Sequence, residues 1–106
     1  FRGSAYVGNF VQWDDSFESL VDEQHNLSLS LWVNDVLVQS ALLSEMTISP
    51  AAQRSELLTW APVCAGDYLF TGTPSGVGQL HPNDRVYATL ETHDGKVLSF
   101  IDTQCD

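Results

Sequence analysis

Leu27-Ser28-Leu29-Ser30-Leu31-Trp32-Val33-Asn34-Asp35-Val36-Leu37-Val38 is the stretch that decides the fold class. Leu27, Leu29, Leu31 and Val33 alternate with Ser28, Ser30 and Trp32, the period of two expected of a strand with one buried face. Asn34 and Asp35 tolerate the positive φ values of a two-residue hairpin turn, although Asp fits the second position less well than Gly. Val36-Leu37-Val38 then returns as the partner strand.

Downstream, Ser49-Pro50-Ala51 places a hydroxyl N-cap before a proline at the first helical position, and Ala52, Gln53, Arg54, Glu56, Leu57 and Leu58 follow. A short helix is predicted to about Trp60, stopped by Pro62 because a residue before proline is pushed out of the helical region. Ala65-Gly66-Asp67 turns into Tyr68-Leu69-Phe70-Thr71, whose composition predicts a buried strand. After a glycine-rich loop and the turn Pro82-Asn83-Asp84, Val86, Ala88 and Leu90 alternate with Tyr87, Thr89 and Glu91. Asp94-Gly95 is a strong hairpin turn, and Val97 to Ile101 completes that second hairpin. Upstream, Phe1 to Asn26 carries scattered aromatics without sustained periodicity and reads as irregular. With no repeats or linkers, residues 1–106 are expected to form a single domain, mainly β with one short helix, an α+β arrangement.

The chain has 106 residues, 43% of them hydrophobic, the composition of a globular protein. At this size folding buries about two-thirds of the unfolded surface, with little reserve, so a partner surface can matter. Fourteen acidic against four basic residues give a net charge of -10, which argues against nucleic acid and anionic membrane as partners. An anionic ligand would need local compensation from a metal, backbone N–H groups or an arginine. Cys64 and Cys105 match neither a zinc site nor a disulfide scaffold, so a reduced cytoplasmic setting is expected, with a 64 to 105 disulfide left open. No apolar run approaches the roughly 20 residues of a membrane span. The chain opens on Phe1 rather than methionine, which reads as a start inside a longer reading frame.

Thr71-Gly72-Thr73-Pro74-Ser75-Gly76-Val77-Gly78 packs three glycines and three hydroxyls into eight positions. Glycines let backbone N–H groups approach an anion, and Thr73 and Ser75 can donate to a carboxylate, but composition alone favours a plain tight crossover loop. The loop is neither a Walker A sequence nor a dinucleotide fingerprint. Asp14, Asp15, Glu18, Asp22 and Glu23 lack the spacing and glycine of a calcium loop and read as a solvated acidic surface. His25, His81 and His93 are expected at the surface, with no paired carboxylate or cysteine at triad-like or metal spacing; His81 lies nearest the loop. Cys64, without a basic neighbour, is expected to be a buried structural thiol. Trp13, Trp32 and Trp60 are expected to anchor the core or an interface.

Ala65-Gly66-Asp67-Tyr68-Leu69-Phe70-Thr71-Gly72-Thr73-Pro74-Ser75-Gly76-Val77-Gly78 resembles the G-D-x-(I/L)-x-T-G-T-P-x-G-V-G signature of the fumarylacetoacetate hydrolase family. Asn26-Leu27 with Leu29, Leu31 and Val33-Asn34 resembles that family's hairpin, Gln39 its trailing glutamine, and Met46 the methionine before its helix. Phe1 to Phe10 is similar to a family stretch that ends in a turn, so the resemblance covers nearly the whole chain. It implies a mixed β-roll and a homodimer. It also implies Mg²⁺ or Mn²⁺ chemistry on acylpyruvate-like 2-oxo acids, through C–C bond hydrolysis, decarboxylation or isomerisation. Among substrate-contact residues it implies Thr73, through its hydroxyl on the substrate carboxylate, and Gly72, through its backbone.

The family's metal-binding carboxylates, the histidine and glutamate that activate water, and its active-site lysine match positions before Phe1. No catalytic residue and no metal ligand is therefore assigned in this chain, and the chain alone is expected to bind no metal and to be inactive. Asp35 stands where the family has glycine, and Asn9 where it has proline. The main expectation is the C-terminal part of such an enzyme; the alternative is a truncated, non-catalytic β-module acting through self-association or partner binding.

Overall fold

The computed structural model describes residues 7–73 and 78–106. Its framework is the hairpin β1 (Ser28–Val33) and β2 (Val36–Leu42), followed by a 3-10 turn at Leu43–Glu45 and the helix α1 (Pro50–Trp60). The hairpin β3 (Arg85–Glu91) and β4 (Val97–Gln104) completes the chain. The strands form one open antiparallel sheet in the order β2-β1-β3-β4, so β1 of the first hairpin pairs with β3 of the second. The mainly β, α+β expectation is met.

Local chemistry explains the boundaries. Asn34 and Asp35 adopt φ of 50° and 65°, the left-handed pair that a two-residue turn between twisted strands requires. β2 extends four residues beyond the predicted Val38, and Val38 itself is the extra residue of a bulge between the pairs Leu31 with Gln39 and Trp32 with Leu37. The Ser49 hydroxyl accepts the Ala52 N–H at 3.1 Å, Pro50 occupies the first turn, and Ala61, before Pro62, is already extended. The second hairpin turns through a wider loop than Asp94-Gly95 alone: Thr92 N–H donates to the Lys96 carbonyl and Gly95 N–H to the Thr92 carbonyl.

The two hairpins are joined by side chains as well as by the ladder. Asn34 Nδ2 donates to Asp84 Oδ1 at 2.8 Å, and Arg85 N–H donates to Asn34 Oδ1 at 2.9 Å. Residues 8 and 9 cross β4, where a Cβ on Gly8 would meet Ile101 Cγ1 and the Phe100 carbonyl at 2.7 Å, a contact that admits only glycine. Asn9 uses its side chain there: Phe100 N–H donates to Asn9 Oδ1 at 3.1 Å, and the Ser99 hydroxyl donates to the Asn9 carbonyl at 2.6 Å.

The buried hydrophobic residues are Leu27, Ala41, Leu43 and Ala51, a small corner core between the start of β1, the 3-10 turn and α1. The apolar face of β1 is not sealed as its alternation predicts. All six β1 residues are half-buried, because no second layer covers the sheet among the described residues.

Two expectations need correcting. Tyr68-Leu69-Phe70-Thr71 is not a buried strand: it is irregular, and Tyr68 and Phe70 are 66% and 78% exposed. A strand needs ladder pairing, and this segment pairs with neither free edge of the sheet, β2 or β4, Tyr68 instead stacking on Phe10 at 5.7 Å. Cys64, on the same uncovered stretch, is an exposed rather than buried thiol; Cys64 and Cys105 are both free. Trp60 is 71% exposed, whereas Trp13 and Trp32 are half-buried and packed against His25 and Tyr87.

Candidate functional site

Thr71, Gly72 and Thr73 form one wall of an open cleft of 710 Å³. The opposite side comes from Ser40 on β2, the Glu45–Ile48 segment and Gln53 on α1. Gly72 has φ of 81°, with open space around its missing Cβ. The glycine is therefore needed for its backbone conformation rather than for room.

Two glutamines hold this wall. Gln53 Nε2, from the first half of α1, donates to the Thr71 carbonyl at 3.0 Å and to the Ile48 carbonyl at 2.9 Å, tying the loop to the segment before the helix. Gln39 Nε2, from β2, donates to Thr73 Oγ1 at 2.8 Å. Residues far apart in sequence thus converge: the candidates Gly72 and Thr73, the hairpin's Gln39, and Met46, which also lines the cleft. Ser75 lies outside the described residues.

Among the described lining residues there is no lysine or arginine. The one carboxylate, Glu45, accepts the Leu42 N–H through Oε2 at 3.0 Å. An anion in this cleft must therefore draw positive charge from beyond these residues, with the Thr73 hydroxyl and backbone N–H groups as the chain's own donors.

The glutamine at position 53 was not legible in the sequence as a cleft residue. It reads as an ordinary helix-former, and only the meeting of α1 with the loop turns its amide inward. Glu45, Thr47 and Ser40 carried no sequence signal either. A second, more apolar cleft of 440 Å³ shares Thr73 with the first and is lined by Leu31, Val33, Val38, Gln39 and Leu80, with His81 bordering it.

The acidic segment is organised differently from a bare solvated surface. His25 lies between two of its carboxylates, with Nε2 3.3 Å from Asp15 Oδ2 and Nδ1 3.2 Å from Asp22 Oδ1, partners that its sequence spacing did not single out. Asp22 also accepts the His25 backbone N–H at 2.9 Å, and this bond, foremost, holds its carboxyl below the ordinary value. Such a geometry spends Asp15 and Asp22 on the imidazole. Among the described residues no group of three or more His, Cys, Asp or Glu is placed to hold a metal ion.

The chain belongs to the fumarylacetoacetate hydrolase family: the family model described as fumarylacetoacetate (FAA) hydrolase C-terminal matches residues 1–98. The bovine (Bos taurus) oxaloacetate tautomerase FAHD1, mitochondrial, is 33% identical over 90 residues, 85% of this chain and 38% of that protein. The Escherichia coli 4-hydroxyphenylacetate degradation bifunctional isomerase/decarboxylase is 34% identical over 74 residues, 67% of this chain and 17% of that protein. An oxaloacetate tautomerase FAHD1, mitochondrial, of Oryza sativa subsp. japonica is 32% identical over 73 residues, 69% of this chain and 32% of that protein. The chain thus spans well under half the length of these relatives. No solved structure matches it significantly.

Proposed function

We propose that this chain is the carboxylate-binding C-terminal part of an enzyme that transforms acylpyruvate-like 2-oxo acids. The chemistry is hydrolysis of a C–C bond, decarboxylation or isomerisation, a range in keeping with relatives named as a tautomerase and an isomerase/decarboxylase. One observation carries the reading: Thr71, Gly72 and Thr73 of the family's signature line the cleft, and the Thr73 hydroxyl accepts a hydrogen bond from Gln39 Nε2. In this reading Thr73 donates to the substrate carboxylate and Gly72 offers its backbone. The divalent ion and the acid/base groups come from the longer protein, and the 106 residues by themselves are inactive.

Calorimetric titration of the full-length protein with oxalate, a mimic of the 2-oxo acid head, tests this in saturating Mg²⁺. Loss of one hydrogen bond to a charged group predicts that Thr73→Val weakens oxalate by about 10-fold or more. Unchanged affinity would remove Thr73 from the site.

A second reading is supported by the exposed sheet. Leu37, Val36 and Phe100 are 53%, 62% and 52% exposed, a surface suited to a non-catalytic module that self-associates. We place a homodimeric, cytoplasmic enzyme ahead of it. Among the described residues no helix is long and apolar enough to cross a membrane.

A further inference from the structure

We propose that Gln39 is a positioning residue for Thr73, fixing its hydroxyl as a hydrogen-bond donor so that the cleft selects an acceptor-only group such as a carboxylate. The proposal rests on the role given to Thr73 above and adds to it a residue and a polarity.

A threonine hydroxyl has a single proton and two lone pairs. The Gln39 amide nitrogen has no lone pair to offer, so its 2.8 Å contact must occupy a lone pair on Thr73 Oγ1. The Thr73 proton is then left for another acceptor, and among the described residues Oγ1 makes no second hydrogen bond. A carboxylate accepts and never donates, so this preset hydroxyl matches it and mismatches an N–H or ammonium group.

The support is stiff enough to hold such a preference. Gln39 is half-buried on β2, paired with Leu31 of β1, and sits next to the bulge at Val38. Two residues before Thr73, the Thr71 carbonyl is held by Gln53. The loop is thus fixed at alternate positions by amides from a strand and a helix, which removes rotational freedom that ligand binding would otherwise have to restrict.

Glutamate at position 39 reverses the arrangement. It has nearly the same shape but only accepts, so it would take the Thr73 proton and leave the hydroxyl facing the ligand with lone pairs. Its extra charge would also repel an anion, and a double-mutant cycle separates the two effects.

The experiment measures oxalate affinity of the full-length protein in saturating Mg²⁺ by calorimetry, with melting temperatures taken in parallel. Gln39→Ala, which frees the hydroxyl to rotate, is expected to weaken oxalate by about 3-fold, and Gln39→Glu by about 10-fold or more, as for a lost charged hydrogen bond. In the Thr73→Val background Gln39→Ala should have no further effect and Gln39→Glu only a small residual one, whereas Thr73→Ser should preserve the full Gln39 dependence. If Gln39→Ala does not fold, the glutamate pair carries the test alone. The proposal is overturned if Thr73→Val weakens oxalate while Gln39→Glu does not, or if Gln39 substitutions cost the same with and without the Thr73 hydroxyl. If Thr73→Val itself changes nothing, the carboxylate role of Thr73 falls first and this proposal falls with it.

Discussion

The Asp84 carboxylate joins three parts of the chain: Oδ2 accepts the His81 backbone N–H at 2.9 Å, and Oδ1 accepts the Asn34 amide of the first hairpin turn. Its backbone carbonyl accepts the Cys105 N–H just after β4. The His81 bond first, and the Asn34 bond second, hold its carboxyl below the ordinary value of 3.8. A carboxyl depressed in the folded state adds stability above its unfolded value, and that stability is lost as pH falls through the folded one. Asp84→Asn should therefore lower the melting temperature at neutral pH, with the gap from wild type closing as pH drops below about 4, where the unfolded carboxyl takes up its proton. Melting curves across that range check it; a gap independent of pH would place the effect in packing. None of this was legible in sequence, where Asp84 is one turn residue among several, because its partners lie 50 residues upstream and three residues back.

At the scale of elements, what could be read was what is local. The β1–β2 hairpin carries its strand period and turn residues within a dozen positions, and α1 carries its hydroxyl cap, its proline and its stop. Ser49→Ala should cost about 1 kcal/mol, the usual worth of an N-cap hydroxyl, measured by urea denaturation. Asp35 is the informative exception. Its φ of 65° is one that glycine adopts freely and a Cβ-bearing residue adopts at a cost. Asp35→Gly is therefore expected to stabilise the chain by about 0.5–1 kcal/mol in the same measurement, the reverse of the usual penalty for introducing glycine. The Tyr68–Thr71 segment shows where local reading stops. Its composition is that of a strand, but a strand also needs a ladder, and this segment pairs with neither free edge of the sheet, β2 or β4. The site divides in the same way: the signature loop and Thr73 are visible in sequence, whereas Gln53 enters only through tertiary contact.

At the scale of the whole molecule, the surface is too large for the mass. A folded monomer of 11.7 kDa is expected to expose about 5900 Å², whereas this chain exposes 7834 Å². Its radius of gyration of 14.7 Å likewise exceeds the roughly 13 Å of a compact domain of this length. The excess surface is more than the about 800 Å² that one side of a standard interface covers. It includes Phe70, Trp60, Val36, Leu37 and Phe100, so more than one covering surface is called for, as in a chain that spans 38% or less of its relatives. Among the described residues Leu27 is the one large side chain that is fully buried, and Leu27→Ala, at about 2–5 kcal/mol, should leave the isolated chain largely unfolded.

Sedimentation of the isolated 106-residue chain at micromolar concentration should then show dimers or larger species rather than a monomer. The aromatic row Trp32, Tyr87 and Phe100, with successive ring centroids 5.5 Å and 6.4 Å apart, makes the sheet face that bears it a natural contact. Leu37→Ser combined with Phe100→Ser should shift the population toward monomer without loss of the far-ultraviolet strand signal. A monodisperse, cooperatively melting wild-type monomer would mean that this face is stable in water as it stands. That outcome would weaken the self-association reading and leave the carboxylate-binding role of the Thr73 loop to stand on its own titrations.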